Sequence, residues 1–257
     1  MHPYERVTNA RSSKRFMGGH YINTIFDDFI EFHGDRKFGD DGAIVGGIAT
    51  IGGISVTVIA MERGETITDR MKRNFGCPSP EGYRKALRLM KQAEKFNRPV
   101  ICFIGSSGAF CGISAEERGQ GQAIADNLLE MSSLKTPIIS VVVGEGGSGG
   151  ALALGVANTV IMFENAVYSV ISPEGCASIL WKDSTKAPDA AEALKITAHD
   201  LKKFGVIDKI VKEDSLTDEE ISNSLKKMLL SEIKRLSKMD SAALCDDRDN
   251  KFRKIGA

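Results

Sequence analysis

The sequence predicts an α/β layered fold with a mainly parallel sheet, and three observations carry that prediction. A buried strand, a glycine-rich loop and a helix follow one another after Pro99, and again after Pro137. Short β-rich runs alternate with helical patterns through the middle of the chain, as a parallel sheet covered by helices requires. Upstream, "AIVGGIATIGGISVTVIA" sets two β-rich runs around Gly52-Gly53, the signature of a hairpin.

Taken in order, residues 1–42 hold a mixed polar segment and then "YINTIFDDFIEFHGD", where Ile22, Ile25, Phe26, Phe29 and Ile30 follow helical spacing. The hairpin comes next, then a basic loop with Arg70, Lys72 and Arg73. In "SPEGYRKALRLMKQAEKF" Ser79 is a candidate N-cap, Pro80 sits in the first turn, and Tyr83, Leu87, Met90 and Ala93 share a face. "PVICFI" leads through "GSSGAFCG" to "SAEERGQGQAIADNLLEM", a helix on which Ser114 and Glu117 spell a capping box. "PIISVVV" leads through "GEGGSGG" to a short apolar helix, and the β-rich runs "TVIMF" and "AVYSVIS" follow. "DAAEALK", then "TAHDLKKFG" with its stop at Gly205, and a strand-like "VIDKIV" complete the body. Thr217 and Glu220 cap a long helix through Met239 whose stripe is Ile221, Leu225, Met228, Leu229, Ile233 and Leu236. Without a Pro/Ser-rich linker, residues 1–257 are expected to form a single domain, with 217–257 a helical tail used in subunit packing.

Lys plus Arg and Asp plus Glu balance at 34 each, so no global field draws this chain to nucleic acid or to an anionic membrane. An anionic ligand must be held by local groups. The cysteines (Cys77, Cys102, Cys111, Cys176, Cys245) are odd in number and show no C-x-x-C pair, which argues against a zinc site and a disulfide framework. The basic, polar start lacks an apolar core, and no run approaches the roughly 18 apolar residues of a membrane span. A cytoplasmic location without membrane attachment is the expectation.

The densest signal is "GEGGSGG", Gly144 to Gly150, and it supports three chemistries. Gly144, Gly146 and Gly149 spell G-x-G-x-x-G, with Glu164 where a dinucleotide fold keeps its ribose acid, but the helix that follows is short for such a crossover. Gly146, Ser148 and Gly150 spell G-x-S-x-G, so a serine hydrolase using Ser148 with His199 and Asp183 or Asp189 is an alternative. The third reading uses main-chain N–H groups alone. Glycine admits a substrate oxygen to the unpaired amides at a helix start, and two such loops could hold two oxygens. Glycines that merely let strand and helix pack closely are the bland alternative.

"NFGCPSPEGYRKALRLMKQAEKF", "AEERGQGQAIADNLLEM", "GEGGSGGALALGV" and "YSVISPEGCASILWKD" together resemble the carboxyltransferase α subunit of bacterial multi-subunit acetyl-CoA carboxylase. "ERVTNARSSKR", "FIEFHGDRKFGDDGAIVGGIA", "EALKITAHDLKKFGVIDKIV" and "KFRKIG" extend the likeness over nearly the whole chain. The resemblance implies a crotonase-like fold of repeated ββα units. It implies transfer of a carboxyl group from carboxybiotin on a separate biotin carboxyl carrier protein to acetyl-CoA, giving malonyl-CoA for fatty acid synthesis. It also implies a zinc-ribbon β subunit as partner, an α2β2 assembly with the active site between α and β, and no metal on this chain. Carried onto this sequence, it makes Gly146 and Gly147 the amides that stabilise the biotin oxygen, with Ser148 beside them and Gly108 and Ala109 as the second donor pair. On that reading a bulky side chain at Gly147 abolishes transfer while the fold persists.

Two stretches depart from the family's pattern. Relatives usually read Asp-Thr-Pro-Gly-Ala-Tyr-Pro-Gly where this chain has Gly105, Ser106, Ser107, Gly108, Ala109, Phe110, Cys111 and Gly112, losing an acid and two prolines. At Ala60 to Glu65, "AMERGE" stands for Gly-His-Gln-Lys-Gly-Arg and keeps one cation, Arg63. The chain also begins where relatives have already spent a helical segment, so that docking surface is expected to be reduced. A non-catalytic scaffold subunit is therefore a further alternative. Glu145 and Ser148 serve either a ligand or their own loop, and Trp181 is expected to pack.

Overall fold

The computed structural model describes residues 1–256. It opens with helices α1 (Pro3–Arg11) and α2 (Gly18–Ile25), followed by β1 (Asp27–Glu31), β2 (Ile44–Ile51) and β3 (Ile54–Met61). The last two form the expected hairpin: Gly52 and Gly53 have φ of 56° and 79°, the left-handed pair that a two-residue turn needs. A short α3 (Ile67–Lys72) and the long α4 (Pro80–Lys95) lead to β4 (Val100–Ser106), then α5 (Ile113–Glu117), α6 (Gln120–Ser133) and β5 (Ile138–Gly147). α7 (Ser148–Leu152), β6 (Thr159–Phe163), β7 (Val167–Ser169), α8 (Pro173–Trp181), α9 (Ala187–Leu194), α10 (Ala198–Lys203), β8 (Lys209–Val211), α11 (Asp218–Leu236) and α12 (Ser241–Arg253) complete the chain.

One sheet runs β1-β2-β3-β4-β5-β6-β8, with β7 paired to the far end of β5. From β3 onward the pairing is parallel, and β4 is buried at every residue, which is why both Pro-led strands read as continuous apolar runs. Tyr83, Ala86, Leu89, Met90 and Ala93 of α4 are buried in the main core, with Leu89 rather than the expected Leu87 fully enclosed. Leu225, Leu229, Ile233 and Leu236 of α11 enter the same core with Leu244 of α12, so the tail's apolar stripe is consumed within this chain. Among the described residues no helix is long and apolar enough to cross a membrane.

Several local expectations are corrected. The helical spacing through Ile30 is only half helical: α2 stops at Ile25, and Phe29 and Ile30 lie in β1, Ile30 being 60% exposed. Pairing wins there because Gly47 lets β1 come close; a Cβ at Gly47 would lie 1.9 Å from the Ile30 carbonyl oxygen. The Ser114/Glu117 capping box does not form, since α5 starts at Ile113 with Gly112 as its N-cap and Ser114 lies inside the helix; further on, Gly119 at φ 81° separates α5 from α6. The polar start is a helix after all, closed by a His2/Glu5 capping box, and "PEGCASILW" is α8 with Ser172 as its cap. The Thr217/Glu220 box is present as expected.

A carboxylate-rich loop ties β1 and β2 to α4. Asp35 accepts the amides of Lys37, Phe38 and Gly39 and the Arg84 Nε (2.7 Å), while Asp40 accepts Lys85 Nζ (2.5 Å) and the Gly34 amide (2.9 Å). Burial pushes both acids up, but these donors outweigh it and hold each pKa at about 2. Because the folded value lies below the unfolded one, the stabilisation is complete above about pH 4 and is lost as pH falls through 2. Denaturation midpoints measured from pH 5 to 2.5 should therefore decline steeply in the wild type. They should decline less in Asp35→Asn, which starts lower.

Candidate functional site

Because β4 and β5 are parallel neighbours, their C-terminal ends project both glycine loops from one edge of the sheet, the usual place for a ligand crevice in parallel sheets. The register Ser106↔Gly146 sets them side by side. A Cβ on Gly147 would stand 2.0 Å from the Ser107 carbonyl oxygen, and one on Gly150 would stand 2.5 Å from Ala109 N. The bare backbone thus lets one loop rest main chain on main chain against the other. That corrects the expectation for Gly147: a side chain there must displace backbone, so the fold would not persist unchanged.

β5 continues through Gly147 before α7 starts at Ser148, whose φ of 51° makes the sharp strand-to-helix bend. Gly146, Gly147 and Ser148 line a pocket of about 300 Å³ with Ser107, Glu145 and Arg11. On the outer side Gly146 and Gly147 pair with Tyr168 and Ser169 of β7. Glu145 is held by Arg11 (Nε 3.0 Å, Nη2 2.7 Å), and Arg11 also reaches Glu174 (2.8 Å), which accepts from the Tyr4 hydroxyl (3.0 Å). Burial works against the Arg11 charge, yet its bonds to Glu145 and Glu174 prevail and its pKa rises above the usual range. Glu145 thus serves neither its own loop's backbone nor a free position but pairs with Arg11 of α1, while the Ser148 side chain stays exposed in the pocket.

The second donor pair is only partly free. Gly108 N–H donates to Ser106 Oγ (3.1 Å), and the same hydroxyl donates to the Gly108 carbonyl (2.7 Å), so the expected open amide at Gly108 is tied within the loop. Ala109 N–H has no acceptor among the described residues. The prolines missing here are replaced by other restraints: Phe110 N–H donates to Pro78 O (3.0 Å), and Gln120 donates to Pro78 O and Phe110 O (2.8 Å each).

The other candidates are dispersed. His199 meets Glu164 (3.3 Å), Asp183 caps Thr185 (2.9 Å), and neither is bonded to Ser148, so no Ser-His-Asp relay is assembled. Glu164 also accepts the Glu213 amide, and α7 spans 5 residues, too few for a dinucleotide crossover. Ser148→Ala is accordingly expected to keep turnover of the wild-type order, and an active-site phosphonate is expected to label neither the variant nor the wild type. Arg63 spends its guanidinium on the Arg11, Ser12 and Arg15 carbonyls, and Arg70 and Arg73 bond Gly64 O, Asp69 and Gly42 O. Glu62 to Glu65 line a different, larger cavity of about 640 Å³ with Lys14, His20 and Arg73. Trp181, expected to pack, is 39% exposed beside Ile179 and Leu180. Nothing in the sequence neighbourhood of Arg11 marks it as facing the glycine loop; only the folded chain brings it to the pocket.

A family model described as acetyl co-enzyme A carboxylase carboxyltransferase-like matches residues 1–256. The acetyl-coenzyme A carboxylase carboxyl transferase subunit alpha of Clostridium acetobutylicum is 59% identical, over 99% of this chain and 94% of its own. That of Streptococcus gordonii is 55% identical, over 96% and 97%. Among solved structures, a transcarboxylase 12S with hydrolysed methylmalonyl-coenzyme A aligns with a TM-score of 0.72 at 21% identity, covering 89% of this chain and 42% of that one. A Pseudomonas malonate decarboxylase hetero-dimer aligns at 0.65 and 14% identity, over 82% and 88%. At those identities the likeness to solved structures speaks for the fold, which is the crotonase-like one expected.

Proposed function

The chain belongs to the family of acetyl-CoA carboxylase carboxyltransferase α subunits, and from that premise we propose that the amides of Gly146 and Gly147, at the floor of the pocket beside Ser148, bind the oxygen of carboxybiotin. The activity is biotin-dependent carboxyl transfer to acetyl-CoA, giving malonyl-CoA. The lining suits such a ligand, with Gly146 and Gly147 shared between the pocket and the β5–β7 ladder. The pocket of about 300 Å³ has a main-chain floor, one cation at its rim and no group of His, Cys, Asp and Glu placed to hold a metal among the described residues. When bound, carboxybiotin would supply the carboxyl group and, once that group has left its nitrogen, the same nitrogen as proton acceptor, so this chain need not present a general base.

What the chain supplies is electrostatic. Preorganised amides aimed at an oxygen gaining negative charge are worth about 2.7 to 4 kcal/mol each where single donors have been removed. Arg11 offsets one of the two negative charges that Glu145 and Glu174 bring to the rim, so the trio carries one net negative charge there instead of two. Gly108 and Ala109 form the second oxygen site once Gly108 is released from Ser106. The biotin arrives on its carrier protein, the acyl-CoA is shared with a zinc-ribbon β subunit, and the assembly is α2β2 in the cytoplasm. The single domain packs against its partners through the outer faces of residues 217–257, since the inner stripe is already used.

The observation that carries this reading is the direct main-chain contact of the two loops at the pocket floor. Its test is reconstitution with a carboxyltransferase β subunit and measurement of malonyl-CoA decarboxylation with and without biocytin. Biocytin-dependent turnover is expected. Normal assembly without turnover would sink it in favour of the scaffold.

A further inference from the structure

Tyr83, on α4, is wholly buried, and its hydroxyl has no hydrogen-bond partner. A hydroxyl in that state costs stability, so its retention asks for a reason. Its location supplies one. A methyl added to Gly150 would stand 2.9 Å from the Tyr83 hydroxyl, 2.8 Å from the Gly108 carbonyl carbon and 2.5 Å from Ala109 N. The hydroxyl therefore lies directly under the crossing of the two loops, and burial pushes the phenol above its usual range, so it is present as a donor.

Above it, the Gly108 peptide is closed on Ser106 through both its N–H and its carbonyl. While that ring is closed, the Gly108 amide cannot serve a ligand. The side of Gly108 where a Cβ would stand is open, while its N and carbonyl carbon face Gly147 and Gly150, so opening is a local rotation of this one peptide. Opening leaves the carbonyl of the half-buried Gly108 without its Ser106 donor, and a new donor on the buried side would restore that hydrogen bond.

We propose that Tyr83 is a positioning residue for the Ser106 to Ala109 loop: its hydroxyl donates to the Gly108 carbonyl when the Gly108 amide leaves Ser106 to meet a ligand oxygen. The loop then has two hydrogen-bonded states, one closed on Ser106 and one held from below, and the ligand selects the second. This rests on the reading of the loops as oxygen-binding amides given above.

Tyr83→Phe, in the full chain alone and in complex with the β subunit, tests it. The isolated variant should melt at the wild-type temperature or higher, since the hydroxyl has no partner to lose. In the complex, kcat for biocytin-dependent malonyl-CoA decarboxylation should fall about tenfold, the effect of one hydrogen bond made only in the reactive state, with KM for malonyl-CoA unchanged. A kcat within about twofold of wild type overturns the proposal. So does a lowered melting temperature, which would reveal a structural partner in the resting chain. A wild-type complex without turnover would overturn the oxygen-binding reading itself, and this inference with it.

Discussion

Gly147→Ala should unfold the site before it can be assayed, lowering stability by about 3 kcal/mol. The methyl would sit 2.0 Å from the Ser107 carbonyl oxygen, 2.3 Å from its carbon and 2.9 Å from Gly108 N, so backbone on both loops must move. Gly147 itself has an ordinary φ of −96°, which means the demand on it is for space and not for an unusual backbone angle. For a chain of this size the change corresponds to a drop in melting temperature of roughly 10 °C. Gly149→Ala is the matched control. Its methyl would make only an ordinary 3.7 Å contact with Ile124, and alanine is the better residue inside α7. A Gly147→Ala protein that melts with the wild type would show that the two loops do not rest on one another. The chemical role of the amides must consequently be probed by ligand-side variation or by residues around them.

The difference between those two glycines marks how far the sequence could be read. Five glycines in "GEGGSGG" announced a close approach, and the resemblance said to what end, but neither says which glycine meets which carbonyl. Contacts across strands depend on register, and the register Ser106↔Gly146 is a property of the assembled sheet. Helix ends with a local signal were legible, as at Thr217/Glu220 and Gly205. Other local signals were overridden. Ser114 and Glu117 have the spacing of a capping box, yet α5 begins at Ile113 with Gly112 as its cap, which places Ser114 inside the helix. Phe29 and Ile30 continue a helical spacing, yet the edge of the sheet needed a strand there.

The same reasoning explains why Arg11 stayed hidden. It ends a helix with low apolar content, 134 residues before its partner Glu145 and 163 before Glu174. Only the folded chain shows that one guanidinium bridges the carboxylate of the glycine loop and that of α8 at the rim of the pocket. Glu174 is held below the usual carboxylate range: burial raises it, but the bonds from Arg11 and Tyr4 outweigh that.

Arg11→Ala would leave those two acids ionised beside the place where negative charge must build on the ligand oxygen. One uncompensated charge at about 6 Å, in an effective dielectric of about 20, is worth roughly 3 kcal/mol, or about two orders of magnitude in rate. The expected result is therefore a loss of about 100-fold in kcat for carboxyl transfer by the reconstituted complex. The loss in stability should be much smaller, because all three side chains remain partly open to water. Arg11→Lys separates charge from geometry: it restores the positive charge but cannot hold both carboxylates at once, so it should recover part of the rate. Glu145→Gln on the Arg11→Ala background removes one of the stranded charges and should recover part as well. If Arg11→Ala instead loses stability and rate together while the double variant gains nothing, the guanidinium is a structural clamp and its charge is irrelevant to the reaction. A rate loss relieved by the second substitution would mean that Arg11 acts by limiting the negative charge beside the pocket, in addition to whatever the amides supply.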